Sequence, residues 1–203
     1  MLNVSRGFSQ IAPRERRALF RRALVGSLPV LMGYTTMGFA AGVLFAVQVS
    51  APCAPVWSFF LASLLISGTM SFSIVPAVVS GMSLWGVALL TLGINFRYAF
   101  YGFSMLKKWR DAPKLQKWFL IHSLADEIYA LDVACKIKDP AKNRLYCLCN
   151  HAFNVSYWVV GSVSGAVAGS ELPIPSKGIE FAMVALFLVI FTDQMKGLVK
   201  RHD

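Results

Sequence analysis

Long apolar runs separated by short charged stretches form the main pattern of this chain of 203 residues. No Asp, Glu, Lys, Arg or His occurs between Ala23 and Phe96. A membrane-spanning helix needs about 20 mostly apolar residues, so this stretch holds two or three complete or partial crossings. The pattern predicts an all-α integral membrane protein, built as a multi-pass helical bundle.

Two apolar segments are too interrupted to form ordinary spanning helices. Residues 56–80 are broken by a polar stretch at 67–71 and then by Pro76. Residues 118–135 carry a histidine and three acidic residues, so they should face protein or water rather than lipid. We therefore predict broken or re-entrant elements in both places. The polar residues of the second segment are His122, Asp126, Glu127 and Asp132.

The other apolar segments predict spanning helices, and glycine stripes mark two of them as close-packing surfaces. Trp109 and Trp118 flank a basic loop and are predicted to anchor at the membrane surface. The predicted spans are residues 23–49, 84–106, 145–170 and 178–195. The stripes are Gly38 with Gly42, and Gly161, Gly165 and Gly169.

Composition agrees with this pattern, because the chain is 56% hydrophobic and 15% charged, against about a quarter charged in soluble domains. Its net charge of +10 comes from basic clusters beside apolar segments, at residues 6–22, 107–117 and 136–144. Such clusters indicate a lipid bilayer, and we expect no nucleic-acid partner. The predicted parts are a basic cytoplasmic segment 1–22, a single transmembrane helical domain 23–195 and a basic cytoplasmic tail 196–203.

The positive-inside rule decides between two topologies. If every apolar stretch crossed fully, the basic loop 107–117 would lie outside. If residues 56–80 enter and leave on one side, and residues 118–135 form a partial element, that loop returns to the cytoplasm. Residues 136–144 and both termini then also lie in the cytoplasm, as the rule requires.

Arg97 is the first candidate for chemistry, because it lies about ten residues before the basic loop, roughly 15 Å into a ~30 Å membrane core. Its guanidinium suits bidentate binding of a carboxylate. Asp126 and Glu127 are its acidic counterparts, and with His122 they are candidates for binding a substrate ammonium or carrying protons. Two structural alternatives stay open: an Arg–Asp pair that only locks helices, and a cytoplasmic amphipathic helix.

The break at residues 67–71 offers hydroxyls and free backbone groups. Unwound backbone in a membrane is tolerated only where protein buries it or water reaches it, and half-helix ends bind charged groups in secondary transporters. Gly68, Thr69 and Ser71 are therefore candidate substrate-binding residues, with Ser67 beside them. A simple kink is the alternative.

Motifs for other classes of function are absent from the sequence. It has no GxSxG, HExxH, P-loop or zinc-spaced cysteine and histidine set, so we expect neither an enzyme nor a bound metal or cofactor. Cys147, Cys149 and His151 are close together in the sequence. Because residues two apart point to different sides of a helix, we interpret them as ordinary helix side chains.

Four motifs along nearly the whole chain resemble the AzlC (azaleucine-resistance, YgaZ-like) family of branched-chain amino-acid exporters. The Asn-x-Arg and Asp-Glu elements are the most specific. The chain has Ser71 and Tyr98 where members of the family usually have glutamine and histidine, so its substrate can differ from theirs. The motifs are GSLPV at 26–30 with Gly33 and Gly38, SGTMSF at 67–72, NFRY at 95–98 with Tyr101, and LADE at 124–127.

This resemblance implies the large permease subunit of a secondary carrier in the bacterial inner membrane. It implies export of valine-like amino acids together with a small AzlD-like membrane subunit. The alternatives are a channel or structural membrane-assembly subunit, and, with no support in the sequence, a membrane-embedded enzyme. With the family motifs added, the substrate-binding candidates are Gly68, Thr69, Ser71, Asn95, Arg97, Tyr98, Tyr101, Asp126 and Glu127.

Overall fold

The computed structural model describes residue 8 and residues 11–172, and within that part of the chain every regular element is an α-helix. The predicted helical membrane class is confirmed, and α1 is long and apolar enough to cross a membrane. The predicted span at 178–195 lies outside the described residues. The helices are α1 (Pro13–Val49), α2 (Ala54–Leu64), α3 (Gly68–Val79), α4 (Leu84–Leu106), α5 (Lys114–His122), α6 (Asp126–Ala134) and α7 (Pro140–Glu171).

Among the described helices, the closest packing is between α1 and α7. A Cβ atom added at Gly42 would lie 1.9 Å from the carbonyl oxygen of Ser162, and one added at Gly165 would lie 2.0 Å from that of Phe39. No side chain fits at either place, so the two backbones touch directly. The glycine stripes predicted as packing surfaces therefore face each other inside the chain.

Contacts along α1 and α7 show that the two helices run in the same direction. Near their first turns, Lys142 Nζ donates a hydrogen bond of 2.6 Å to Glu15 Oε1. Arg144 Nη1 also donates to the carbonyl oxygen of Asp111, at 3.0 Å. The start of α1, the loop after α4 and the start of α7 thus lie at one end of the bundle, which we call the basic end. This is the shared position that the charge pattern predicted for the three basic clusters.

Helices α2 and α3 form a re-entrant hairpin, called here the first hairpin, which enters from the end opposite the basic end. On α2, Ser58 Oγ donates to the carbonyl oxygen of Ser162 at 3.0 Å, and the helix runs inward along α7. On α3, Gly68 lies against Met37, and the helix returns outward along α1. The chain unwinds at residues 65–67.

The break differs in detail from the prediction. Residues 68–71 form the first turn of α3 instead of an unwound stretch, because Ser67 caps that turn by accepting a hydrogen bond from Met70 N. An N-terminal serine cap satisfies one of the free backbone donors of a helix. Pro76 lies inside α3 and does not end it.

Helices α5 and α6 form the second hairpin, which enters from the basic end and turns at residues 123–125. At its start Lys117 Nζ donates to the carbonyl oxygen of Arg110 at 3.0 Å. At the end of α5, His122 Nε2 lies 3.0 Å from the carbonyl oxygen of Ser63 in the first hairpin. Because the second hairpin reaches the middle of the bundle, the alternative of a surface amphipathic helix is wrong.

Trp109 is not a surface anchor as predicted. Its side chain is 1% exposed, and its ring packs edge-on against His151 with the centroids 5.7 Å apart. It is buried because the loop after α4 folds back beneath the second hairpin. Trp118 is 61% exposed, as a residue at the membrane surface would be.

Helix α4 joins the two hairpins and gives the fold an inverted arrangement. It begins after the first hairpin and ends beside Lys108, whose Nζ donates to the carbonyl oxygen of Asp132 in α6. Helix α1 ends opposite the basic end, and the first hairpin enters from there. Helix α4 ends at the basic end, and the second hairpin enters from that end. Opposed repeats of this kind are typical of secondary transporters.

We predict that Gly165→Ala destabilises the protein by at least about 1–3 kcal/mol, because its Cβ would overlap the backbone of α1. The matched control is Gly33→Ala, since a Cβ at Gly33 meets nothing within 4 Å. Thermal unfolding in detergent measures both changes. Equal melting temperatures for the two variants would contradict the direct backbone contact.

We also predict that the two ends of the bundle react with thiol reagents from opposite sides. Cys53 is exposed at the end where the first hairpin enters, and an impermeant reagent outside intact cells should label it. In a Cys53→Ser background, Lys114→Cys at the basic end should react only after the membrane is permeabilised. Labelling of both sites from the same side would refute the re-entrant topology.

Candidate functional site

The tips of the two hairpins meet at a cavity of about 130 Å³. Helix α4 closes one side of it, and α1 and α7 close the other. Ligand pockets for drug-sized molecules are several times larger, so the volume suits a small ligand. The lining residues are Tyr34, Met37, Ile66, Ser67, Gly68, Thr69, Arg97, Tyr98, Ala125, Asp126, Glu127 and Trp158.

Four helix ends point at this cavity, because each hairpin unwinds there. The N-termini of α3 and α6 begin at Gly68 and Asp126, and the C-termini of α2 and α5 lie beside them. Helix N-termini carry partial positive charge and C-termini carry partial negative charge. The N-termini of α3 and α6, whose residues line the cavity, therefore contribute partial positive charge to it.

Two tyrosines connect the spanning helices to the hairpin tips. Tyr34 of α1 donates a hydrogen bond of 2.8 Å to Glu127 Oε2 at the second tip. Tyr98 of α4 donates one of 3.2 Å to Ser67 Oγ at the first tip. Each tyrosine thus holds the hairpin of the other half of the inverted arrangement.

Arg97 and Asp126 form the ion pair that the sequence suggested. The distance from Arg97 Nη2 to Asp126 Oδ2 is 3.0 Å, and the two side chains are 40% and 34% exposed. Arg97 Nε and Asp126 Oδ1 are buried and have no hydrogen-bond partner among the described residues. The Arg97 guanidinium carbon also lies 5.2 Å from the centroid of the Tyr98 ring, and Tyr101 lies within electrostatic range of Asp126.

The rest of the wall is apolar and aromatic. Met37 and Ile66 supply aliphatic surface, and Trp158 lies edge-on to Tyr34 with ring centroids 6.0 Å apart. Gly68 leaves room here, because a Cβ at this position would lie 3.3 Å from the Met37 methyl carbon. Beside its charged groups the cavity thus presents a surface suited to a short aliphatic side chain.

Of the nine substrate-binding candidates, six line this cavity: Gly68, Thr69, Arg97, Tyr98, Asp126 and Glu127. Ser71, Asn95 and Tyr101 do not. Ser71 lines a separate small void beside Ser58, because the first turn of α3 points it toward α2. Tyr101 is stacked on Tyr129, with centroids 4.4 Å apart.

His122 is also outside the cavity wall. Its Nε2 is directed at the carbonyl of Ser63 in the last turn of α2, and its ring is stacked on Trp118 at 5.0 Å. The sequence analysis missed Tyr34 and Trp158, although Tyr34 is a phenol in an uncharged apolar run. Nothing in local spacing shows that α1 and α7 bring these two rings to the hairpin tips.

A second polar cluster, formed by Ser123, Asp132 and His151, lies behind the second tip. We call it the buried trio, since all three residues are 0% exposed. His151 Nε2 is 2.9 Å from Asp132 Oδ2, and His151 Nδ1 is 2.7 Å from Ser123 Oγ. His151 is a side chain of α7, as the sequence analysis interpreted it, but its buried hydrogen-bond cluster was not predicted. The cue that was available is Asp132, an acid within an apolar segment.

Comparison with known proteins gives a family. The family described as AzlC protein matches residues 29–172, which is most of the chain. The chain belongs to the AzlC family. Residues from both hairpins and all three long helices lie within the matched region, so the family's sequence pattern covers the whole cavity.

Named relatives agree with this family. The chain is 34% identical over 178 residues to an uncharacterized membrane protein of Haemophilus influenzae, covering 87% of this chain and 71% of that one. It is 28% identical over 186 residues to the branched-chain amino acid transport protein AzlC of Bacillus subtilis, covering 92% and 72%. It is 30% identical over 186 residues to the inner membrane protein YgaZ of Escherichia coli, covering 87% and 73%.

No solved structure matches the chain. Family membership and the names of the relatives nevertheless support a bacterial membrane protein with a transport-related role that acts on a small substrate. The AzlC member therefore has a polar cavity at the hairpin tips, and one of its relatives is named as a transport protein.

We predict that Arg97 and Asp126 are energetically coupled by about 1 kcal/mol, because the pair is only partly shielded from solvent. Arg97→Gln and Asp126→Asn should each lower thermal stability, and the double variant should lose less than their sum. A thermal-melting cycle in detergent measures this. Strict additivity would show that the ion pair does not hold the tip of the second hairpin to α4.

Proposed function

We propose that this AzlC family member is the secondary-transport permease subunit that exports branched-chain, valine-like amino acids. The observation that carries the proposal is the Arg97–Asp126 ion pair in the cavity wall, in which Arg97 Nε and Asp126 Oδ1 have no hydrogen-bond partner among the described residues. An α-amino acid has a carboxylate and an ammonium on one carbon, so it needs both groups at short separation. The name of the Bacillus subtilis relative supports the choice of side chain.

In the proposed complex, Arg97 Nε and the N-terminus of α3 bind the substrate carboxylate. Charge-assisted hydrogen bonds and the helix dipole both favour an anion there. Asp126 Oδ1 accepts a hydrogen bond from the ammonium. Glu127, which accepts a hydrogen bond from Tyr34, is a second acidic group beside it. Met37, Ile66 and Trp158 then surround the aliphatic side chain.

Transport by this subunit follows alternating access, in which the two opposed hairpins open the cavity to one side at a time. We propose that the basic end faces the cytoplasm of the bacterial cell, with both termini there, as the positive-inside rule favours. A small AzlD-like membrane subunit completes the exporter. The exposed apolar face of α4, with Trp85, Leu89 and Leu92, is available to lipid or to such a subunit.

A channel or structural assembly subunit is the alternative function. An assembly subunit could dock partners on its glycine stripes, but in the fold Gly42 and Gly165 pack within the chain itself. Saturable efflux that discriminates between amino acids identifies a carrier. Non-saturable flux would identify a channel.

We predict that cells loaded with a valine-containing dipeptide export valine faster when this chain is present with its small partner. Arg97→Ala should remove this increase, because no other arginine lines the cavity described here. Arg97→Lys should fail nearly as completely, since lysine lacks the planar fork that binds a carboxylate at two points. Radiolabelled valine efflux measures all three.

The matched control is Arg110→Ala, which removes an exposed arginine in the loop after α4, away from the cavity. It should keep the efflux of the unaltered protein. Wild-type efflux by Arg97→Ala would refute the proposed role of this residue. Absence of efflux in every combination, with the chain and its partner present in the membrane, would refute the proposed substrate.

A further inference from the structure

The buried trio connects three elements that meet at the second hairpin tip. Ser123 follows the last residue of α5, Asp132 lies on α6, and His151 lies on α7. Asp132 Oδ1 also accepts a hydrogen bond of 3.2 Å from Asn150 Nδ2. An ionised Asp132 accepts at both oxygens, from Asn150 Nδ2 and from His151 Nε2.

Counting hydrogens indicates the charge of His151. Ser123 Oγ lies 2.5 Å from the carbonyl oxygen of Phe119, so its single hydrogen is donated there. The contact of 2.7 Å between Ser123 Oγ and His151 Nδ1 then needs the hydrogen on Nδ1. Nε2 donates to Asp132 at 2.9 Å. An imidazole that donates from both nitrogens is a protonated imidazolium.

A second hydrogen-bond state uses the same heavy atoms. When His151 loses the proton from Nδ1 to a water molecule that enters at the hairpin tip, Nδ1 becomes an acceptor. The hydroxyl of Ser123 then rotates from the Phe119 carbonyl to Nδ1. One proton has left, and Phe119 in the last turn of α5 has lost a hydrogen bond.

Other groups that face the trio come from each neighbouring element. Lys108, from the loop after α4, donates to the Asp132 carbonyl. Cys147 and Tyr146 on α7 lie within electrostatic range of Asp132, and Arg22 of α1 lies over the Tyr146 ring. From α5, the aromatic ring of Phe119 approaches His151, with the ring centroids 6.3 Å apart.

The cost of burying these groups argues against a purely structural role. A fully buried ion pair stabilises a protein little, and apolar residues of similar size often replace one without loss. Ionisable residues inside membrane segments are rare and typically functional. Ser123 of the trio also shares the turn of the second hairpin with Ala125, which lines the cavity.

We propose that His151, held between Asp132 and Ser123, is the proton-binding residue that couples this carrier to a transmembrane proton gradient. The inference rests on the proposed function for its transport readout, and it moves the coupling site away from His122. His122 serves instead to satisfy the free carbonyl of Ser63 at the end of α2. Asp132 and Ser123 are positioning residues for the imidazole.

The test uses the full chain with its small partner in proteoliposomes. Valine exchange at equal pH requires no net proton movement, whereas accumulation against a gradient does. A gradient of one pH unit is worth about 1.4 kcal/mol per proton, so one coupled proton supports about a tenfold accumulation. We expect His151→Gln to keep exchange and lose accumulation.

Ser123→Ala provides a second, milder variant. It removes only the hydroxyl opposite Nδ1, so it should shift the pH dependence of valine accumulation, and Ser123→Thr should restore it. The matched control is Ser156→Ala on α7, because the Ser156 hydroxyl makes the same kind of bond to a carbonyl four residues earlier but is exposed. That variant should behave as wild type.

Nitrogen NMR of histidine-labelled protein separates failure of this inference from failure of the proposed function. The chain has three histidines, and the spectrum of His151→Gln assigns the signal. A doubly protonated His151 that titrates near neutral pH supports the inference even if valine is not the substrate. A ring that stays neutral throughout that range, an unchanged accumulation in His151→Gln, or an unshifted pH dependence in Ser123→Ala would overturn it.

Discussion

The direct backbone contact between α1 and α7 is the constraint on which the rest of this fold depends. Glycines at both surfaces leave no room for a side chain, so the two helices are fixed in parallel and in register. Each then offers a rigid face to one hairpin arm: α7 packs on α2, and α1 packs on α3. Shorter helices that cannot span a membrane alone are held in place by this pair.

Helix ends in the middle of a membrane must find partners for their free backbone groups. The protein provides them locally: Ser67 caps α3, and His122 reaches the free carbonyl of Ser63 at the end of α2. After these needs are met, Arg97 and Asp126, which both line the cavity, each keep one polar atom without a hydrogen-bond partner among the described residues. Polar atoms without a hydrogen-bond partner at the hairpin tips, rather than the break in the helix, are what would distinguish a binding site from a simple kink.

The sequence was sufficient to predict the helical class, the two interrupted segments and the grouping of the basic clusters, because these follow from hydropathy and charge alone. It was insufficient for contacts between distant elements. Trp109 appeared as a surface anchor, and the hydrogen-bond cluster of His151 was not predicted. Both outcomes arise because the second hairpin folds over these residues, which depends on tertiary packing that no local pattern records.

The position of the buried trio gives proton binding a mechanical consequence. In the described part of the chain α6 touches α7 over a small area, and Asp132 supplies two of the hydrogen bonds across it, to Asn150 and His151. A charged His151 strengthens that attachment, whereas a neutral one weakens it and removes a hydrogen bond from the last turn of α5. Asp126 and Glu127 are the first residues of α6. The strength of the attachment between α6 and α7 and the geometry of the cavity therefore change together. Substrate and proton then act on one movable element, which is what thermodynamic coupling between two sites requires.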